Sequence, residues 1–297
     1  IMKTGIYLTL LLIIGFLSAN AQKPIKLTEE SVKFGSTMCP GVWVDIPEVD
    51  LETIRKSWTK VIEKGTKSKA VVAGNEISIF GAIIKDVSES PINIFSAVLG
   101  QDTIVRLFTA LELSRDQFTD VNSKEHEQLK SILKQFAKEQ YTEVAEKQLS
   151  AEESKLKDLE KELSSLRKDK EKFDKEIQSA NSSISEENYK IATTQKEMAV
   201  TDATLDAKSS DLSTVEDGDA KKAIKSEVKT LQKKKKSHLN DISSSENKIS
   251  KYNNVIQDNN NNISVNLRKQ EEISNKINAQ KLEVSKYTNK LKTIETY

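Results

Sequence analysis

Few residues of this chain have types suited to chemistry, and they are scattered. There is one cysteine, Cys39, and two histidines, His126 and His238. A thiolate–imidazole pair or a zinc site needs such groups gathered in space, and their spacing gathers none of them. With no partner for an intrachain disulfide, Cys39 reads as a small buried hydrophobe, and an interchain bridge through it stays open. Gly65-Thr66-Lys67-Ser68 has residues found in phosphate-cradling loops. Such a loop needs Gly-x-x-x-x-Gly-Lys-Ser/Thr between a strand and a helix. Here lysine does not follow the glycine, and the segment closes a helix. Carboxylates are abundant, yet no pair is placed to share a pocket. The sequence therefore assigns no catalytic, cofactor-binding or metal-ligating residue, and a non-enzymatic protein is expected.

The remaining candidates read as structure. Trp43 and Trp58 fit a core better than a ligand platform. The lysine run 233–236 is followed by Asp241 and Glu246 and reads as a solvated helix face. Lys170 falls at a seam position, where a polar residue sets register. Charge is high but balanced, with 46 Lys+Arg against 45 Asp+Glu. That balance argues against nucleic acid as a partner.

What must position these residues is a long helical pattern. Proline is absent after Pro91, and Gly218 is the only glycine after Gly100. Apolar residues repeat every seven from Leu156 through Ile177, Ile191 and Leu205 to Leu212. They do so again from Val228 through Ile242, Ile256 and Ile277 to Leu291. Such a repeat predicts a coiled coil with a left-handed supercoil. Asp217-Gly218-Asp219 between the arms predicts that they fold back on each other. Residue i should then face residue 436 − i. Leu163 meets Ile273, Glu187 meets Ile249 and Asn259 meets Ile177, while Lys170/Asn266 and Thr201/Lys235 form two layers polar on both sides. The asparagine-rich stretch 253–262 is a poor helix former, but Ile256 and Ile263 hold the register through it.

Ahead of the arms the composition changes. Val42-Trp43-Val44-Asp45-Ile46 predicts a strand ending at Pro47. Asp50 then caps a helix over 51–64, closed by Gly65. Runs 76–87, 92–99 and 103–113 predict three strands joined by short turns as an antiparallel meander. Ser123 caps the next helix, whose apolar stripe is wider than a seam and suits packing on a sheet. The fold class expected is α+β: a small antiparallel-sheet head over 22–145, then a long antiparallel coiled-coil hairpin over 146–297 with its turn near Gly218.

Residues 1–21 read as a signal peptide. Lys3 precedes an apolar run over 6–17, and Ala19-Asn20-Ala21 is a small-x-small cleavage site that leaves Gln22 first. The run is short of the ~20 residues of a membrane span, so no stable span is expected after cleavage. The location expected is the periplasm or the cell exterior. The Ala-Asn-Ala/Gln pattern resembles the signal peptides of Bacteroidota-type bacteria, and with the arms it resembles their uncharacterised exported coiled-coil proteins. The arms are also similar in composition to those of the structural-maintenance-of-chromosomes ATPases, without any ATPase motif.

The function expected is a scaffold, spacer or interaction arm with protein partners in the cell envelope or outside the cell, homo-oligomerisation included. A second expectation is a periplasmic holdase, similar to the tentacled chaperones of outer-membrane biogenesis. Those also combine a signal peptide, a β-containing body and helical hairpins, but are shorter and more basic. A cell-wall hydrolase activator or a helical toxin is a third. The activator lacks a zinc-type His/Asp motif here, and the toxin lacks a long apolar segment after the signal peptide.

Overall fold

The computed structural model describes residues 23–297; the expected signal peptide and its cleavage site lie outside them. The chain forms a small antiparallel sheet followed by two long helices, an α+β architecture that is mostly helical. It divides into two compact units, one taking in the chain through Lys155 together with Gln280–Tyr297, the other Leu156–Ala279.

In the first unit, β1 (Lys26–Phe34), β2 (Thr37–Pro47), β3 (Val71–Ala73), β4 (Glu76–Ala82), β5 (Ile92–Gln101), β6 (Ile104–Ser114) and β7 (Gln117–Phe118) build one sheet. Its order is β1-β2-β6-β5-β4-β3, with β7 beside β6. The 92–99 and 103–113 runs form the expected hairpin, Val98 pairing with Leu107 and Gln101 with Ile104. The expected strand 76–87 stops at Ala82, after the ladder between β4 and β5 shifts register between Ile79 and Ala82. β1 was not predicted. Its sequence, Lys-Leu-Thr-Glu-Glu-Ser-Val-Lys-Phe, is mostly polar because it is an edge strand, where charge opposes pairing with other chains.

Strand alternation gives the sheet two unlike faces. One carries Val42, Val44, Ile46, Ile77, Ile79, Ile94, Val98 and Leu107, all at 0% exposure. Helix α1 (Leu51–Glu63) covers it with Ile54, Trp58 and Ile62, and the start of α2 (Lys124–Thr214) adds Leu129, Leu133 and Phe136. Asp50 caps α1 by accepting from the Thr53 amide at 2.8 Å, and Ser123 caps α2 through the His126 amide at 3.2 Å. The opposite face holds a separate cluster of Phe34, Cys39, Trp43, Ala97, Phe108 and Ala110. Gly41 makes this possible, since a Cβ there would lie 2.4 Å from the Thr109 carbonyl and 2.6 Å from the Phe108 ring.

In the second unit, α2 and α3 (Asp219–Glu295) run antiparallel. Cross-helix bonds fix their register. Lys235 Nζ meets Asp202 at 3.0 Å, Lys248 Nζ meets Glu187 at 3.4 Å, and Asn259 donates to Glu176 at 3.0 Å. Each partner lies within one residue of the position expected from pairing i with 436 − i. The Asn259 and Asn266 side chains bond across the pair, so helix α3 continues through the asparagine-rich stretch.

The turn lies at Gly218 as expected; its backbone is not left-handed, and its carbonyl accepts from the Lys222 amide at 3.3 Å, which caps the start of α3. The two polar layers close in an unexpected way. Asn266 donates to the Leu166 carbonyl at 2.9 Å, while Lys170 turns to Asp174 on its own helix. Thr201 bonds the Glu197 carbonyl, and Lys235 takes Asp202 rather than Thr201. A helix offers carbonyls one turn back, so a seam hydroxyl finds a partner without crossing the interface.

Candidate functional site

The residues singled out by type stay apart. Cys39 is fully buried in the aromatic cluster, where burial, and then the Glu112 charge, push its thiol up. That favours the protonated, unreactive form. His126 is buried at the start of α2, its Nε2 3.4 Å from Glu29, which also pairs with Lys130 at 2.9 Å. His238 belongs to the paired helices, with Glu197 at 3.9 Å. Among the described residues no group of three or more His, Cys, Asp or Glu is gathered to hold a metal. Thr66 and Ser68 both donate to the Gly81 carbonyl, at 3.1 and 3.4 Å, so their hydroxyls latch the loop to β4. Trp58 donates to Ser96 at 2.9 Å inside the core, and Trp43 lies in the aromatic cluster under the Arg106 guanidinium, 4.7 Å from the ring centre.

Among the described residues, a constellation with site-like geometry lies elsewhere in the sheet-bearing unit. It begins where β2 ends. Pro47 closes the strand, and Glu48 then adopts φ 60°, a left-handed backbone that costs a non-glycine residue on the order of 1 kcal/mol. Its amide bonds the Thr103 carbonyl at 2.8 Å. This turn aims the Glu48 carboxylate at three donors: Lys290 Nζ, Gln148 Nε2 at 3.1 Å, and the Tyr141 hydroxyl at 3.3 Å. Lys290 also donates to the Gln148 carbonyl oxygen at 2.8 Å and stands 5.2 Å over the Tyr141 ring. Behind the group, Tyr141, Ala145 and Ile294 pack with Ile25, Leu291 and Tyr297. The last residues of α3 therefore finish the same unit that the sheet begins.

Electrostatics follow from this closure. Burial acts to raise the Glu48 carboxyl, but the bonds from Lys290, Gln148 and Tyr141 outweigh it and hold the group below the usual range. Burial, and then the Glu48 charge, push the Tyr141 phenol upward. The pair thus stays as carboxylate and neutral phenol, a fixed acceptor and donor. Beside it opens a cavity of about 740 Å³, lined by Lys23, Thr103, Lys286, Tyr287 and Asn289 along with Glu48, Tyr141 and Lys290. Lys23 donates to the Thr103 hydroxyl.

None of Glu48, Tyr141, Lys286 or Lys290 had been singled out from the sequence. Tyr141 continues the stripe of Leu133 and Phe136, which signals burial but no chemistry. The partners come from segments about 100 and 240 positions away, and no local spacing encodes that meeting. No known family model matches the chain, and no curated protein does.

Proposed function

We propose that this is a non-enzymatic exported protein that works in the periplasm or outside the cell as a scaffold or spacer, with the paired helices as its interaction arm. The observation that carries the reading is the make-up of Leu156–Ala279: a whole unit given to two antiparallel helices whose seam closes within the chain. The stretch of α2 in this unit is about 88 Å long at 1.5 Å per residue. Outside the seam it presents charge interrupted by exposed apolar side chains, Tyr189 at 75% and Val200 at 68%. Single exposed apolar residues are ordinary on a protein surface, so Tyr189 and Val200 serve as positions at which to probe the arm rather than as a patch. Among the described residues no helix is long and apolar enough to cross a membrane.

Photo-crosslinking amino acids at positions 189 and 200 of the full-length protein, produced in an exporting host, test this reading. Specific envelope or extracellular proteins captured at those positions support an interaction arm. Capture only from positions on the sheet, or none at all, removes it. N-terminal sequencing of the exported protein should find Gln22 first; retention of residues 3–21 in a soluble exported form contradicts the proposed route.

A second reading, a holdase chaperone, is favoured by the uncovered sheet face. There Phe80, 57% exposed, touches Phe95 with ring centres 5.9 Å apart, and Val71 is 60% exposed nearby. Suppression of aggregation of an unfolded outer-membrane protein, lost in Phe80→Ser, would support this role over a passive spacer.

A further inference from the structure

The lining of the cavity beside Glu48 carries more ammonium groups than carboxylates. At about 740 Å³ it lies in the range of sites for small organic molecules. Three lysines and one carboxylate line it. The carboxylate is engaged: Glu48 takes Lys290, Gln148 and the Tyr141 hydroxyl, and so offsets the Lys290 charge. The other two ammonium groups have weaker company. Lys23 bonds the neutral hydroxyl of Thr103. Lys286 has an i,i+3 pair with Glu283 at 3.4 Å, half-exposed on both sides, a type of pair that contributes little. The Tyr287 ring also lines the cavity, its centre 5.8 Å from both the Lys286 and the Lys290 ammonium.

We propose that this cavity binds a small organic anion: a carboxylate or phosphate monoester carried on a ring or short apolar body. The anionic group takes Lys23 and Lys286, as point charges that complement phosphate or carboxylate without demanding a bidentate geometry. The body lies along Tyr287 and the neighbouring lysine stems. The fixed Glu48–Lys290–Tyr141 group forms the wall; with its own charges already paired, it leaves the anion to Lys23 and Lys286. This proposal stands apart from the scaffold reading; each can fail without the other.

The test is calorimetric titration of the full-length protein with phenyl phosphate, benzoate and, as a neutral control, benzyl alcohol, at physiological ionic strength. Saturable binding of at least one anion at one site per chain is expected, with no binding of benzyl alcohol. Phenyl phosphate alone assigns the head group to phosphate, and benzoate alone assigns it to carboxylate. Lys286→Gln and Lys23→Gln, both at exposed positions, should each weaken the bound anion about tenfold, the scale of one charge-assisted contact. Lys286→Arg should restore most of the affinity. Absence of saturable binding by both anions overturns the proposal. So does equal binding of benzyl alcohol, or unchanged affinity in the double variant Lys23→Gln/Lys286→Gln with native circular dichroism.

Discussion

The sheet-bearing unit and the paired helices bury different things. In the sheet the buried residues are overwhelmingly apolar, and many have no exposure at all. Along the helices from Leu156 to Ala279 the buried apolar residues are Ala180, Ile273 and Ile277, whereas Glu187, Thr201, His238, Ser245, Asn259 and Asn266 are buried polar ones. A sheet with helices over one face and an aromatic cluster on the other encloses much of its apolar area, while two helices alone leave most seam residues half-exposed. The first unit thus gains stability by removing apolar area. The second spreads modest gains along its length and uses polar side chains to hold alignment.

The largest contrast should come from one truncation in each region. Trp58→Ala removes a fully buried ring that packs on Phe136 and bonds Ser96, and should cost about 3–5 kcal/mol. Leu205→Ala, in a half-buried seam position, should cost about 1 kcal/mol, since only part of the side chain leaves water on folding. Denaturant melts followed by near-ultraviolet and far-ultraviolet dichroism would measure both; equal losses would erase the distinction. Next comes Gly41→Ala, which drives a Cβ against the Thr109 carbonyl and the Phe108 ring. It should cost about 1–3 kcal/mol, the range for overpacking, and lower the thermal midpoint.

A smaller effect, with a definite sign, attaches to Glu187. The Lys190 ammonium and the Ser245 hydroxyl, aided by Lys248, hold its carboxyl down to about 2 despite burial, which acts the other way. Unfolded, a glutamate titrates at about 4.3. A depressed folded value stabilises the fold above the unfolded value, and that stability is lost as pH falls toward 2. Glu187→Gln should therefore be less stable than the wild type at pH 7, with the difference shrinking below about pH 4 and gone near pH 2. A difference that grows on acidification would show that these partners do not stabilise the carboxylate. The smallest effect belongs to Gly218→Ala. Its Cβ would meet nothing within 4 Å and its backbone is not left-handed, so the thermal midpoint should move by less than the equivalent of about 0.5 kcal/mol.

The same division explains what the sequence made legible. The helices could be read in detail, because a seam repeats its signal at every heptad; Gln270 reaches Leu166, the residue numerically opposite. The central strands were legible from β-branched runs and turn residues. Strand β1 was not, because an edge strand sheds the apolar alternation that marks its neighbours. The length of the second arm is enough to bring it back to the sheet-bearing unit, but where its packing changes is not marked, since Val284 and Leu291 continue the heptad repeat while Ile294 turns to Tyr141 and Ala145. The Glu48 cavity left least trace, because it depends on a local backbone conformation and on partners far apart in the chain.

The pairing of the two arms within one chain holds the second unit together. In a Cys39→Ala background, Met198→Cys combined with His238→Cys places two thiols at numerically opposed positions. Met198→Cys with Ser245→Cys shifts the pair by one heptad. Mild oxidation followed by non-reducing electrophoresis and peptide mapping should show a fast intrachain disulfide in the first variant and little in the second. Equal rates in both, or bridges only between chains, would contradict the hairpin register described here.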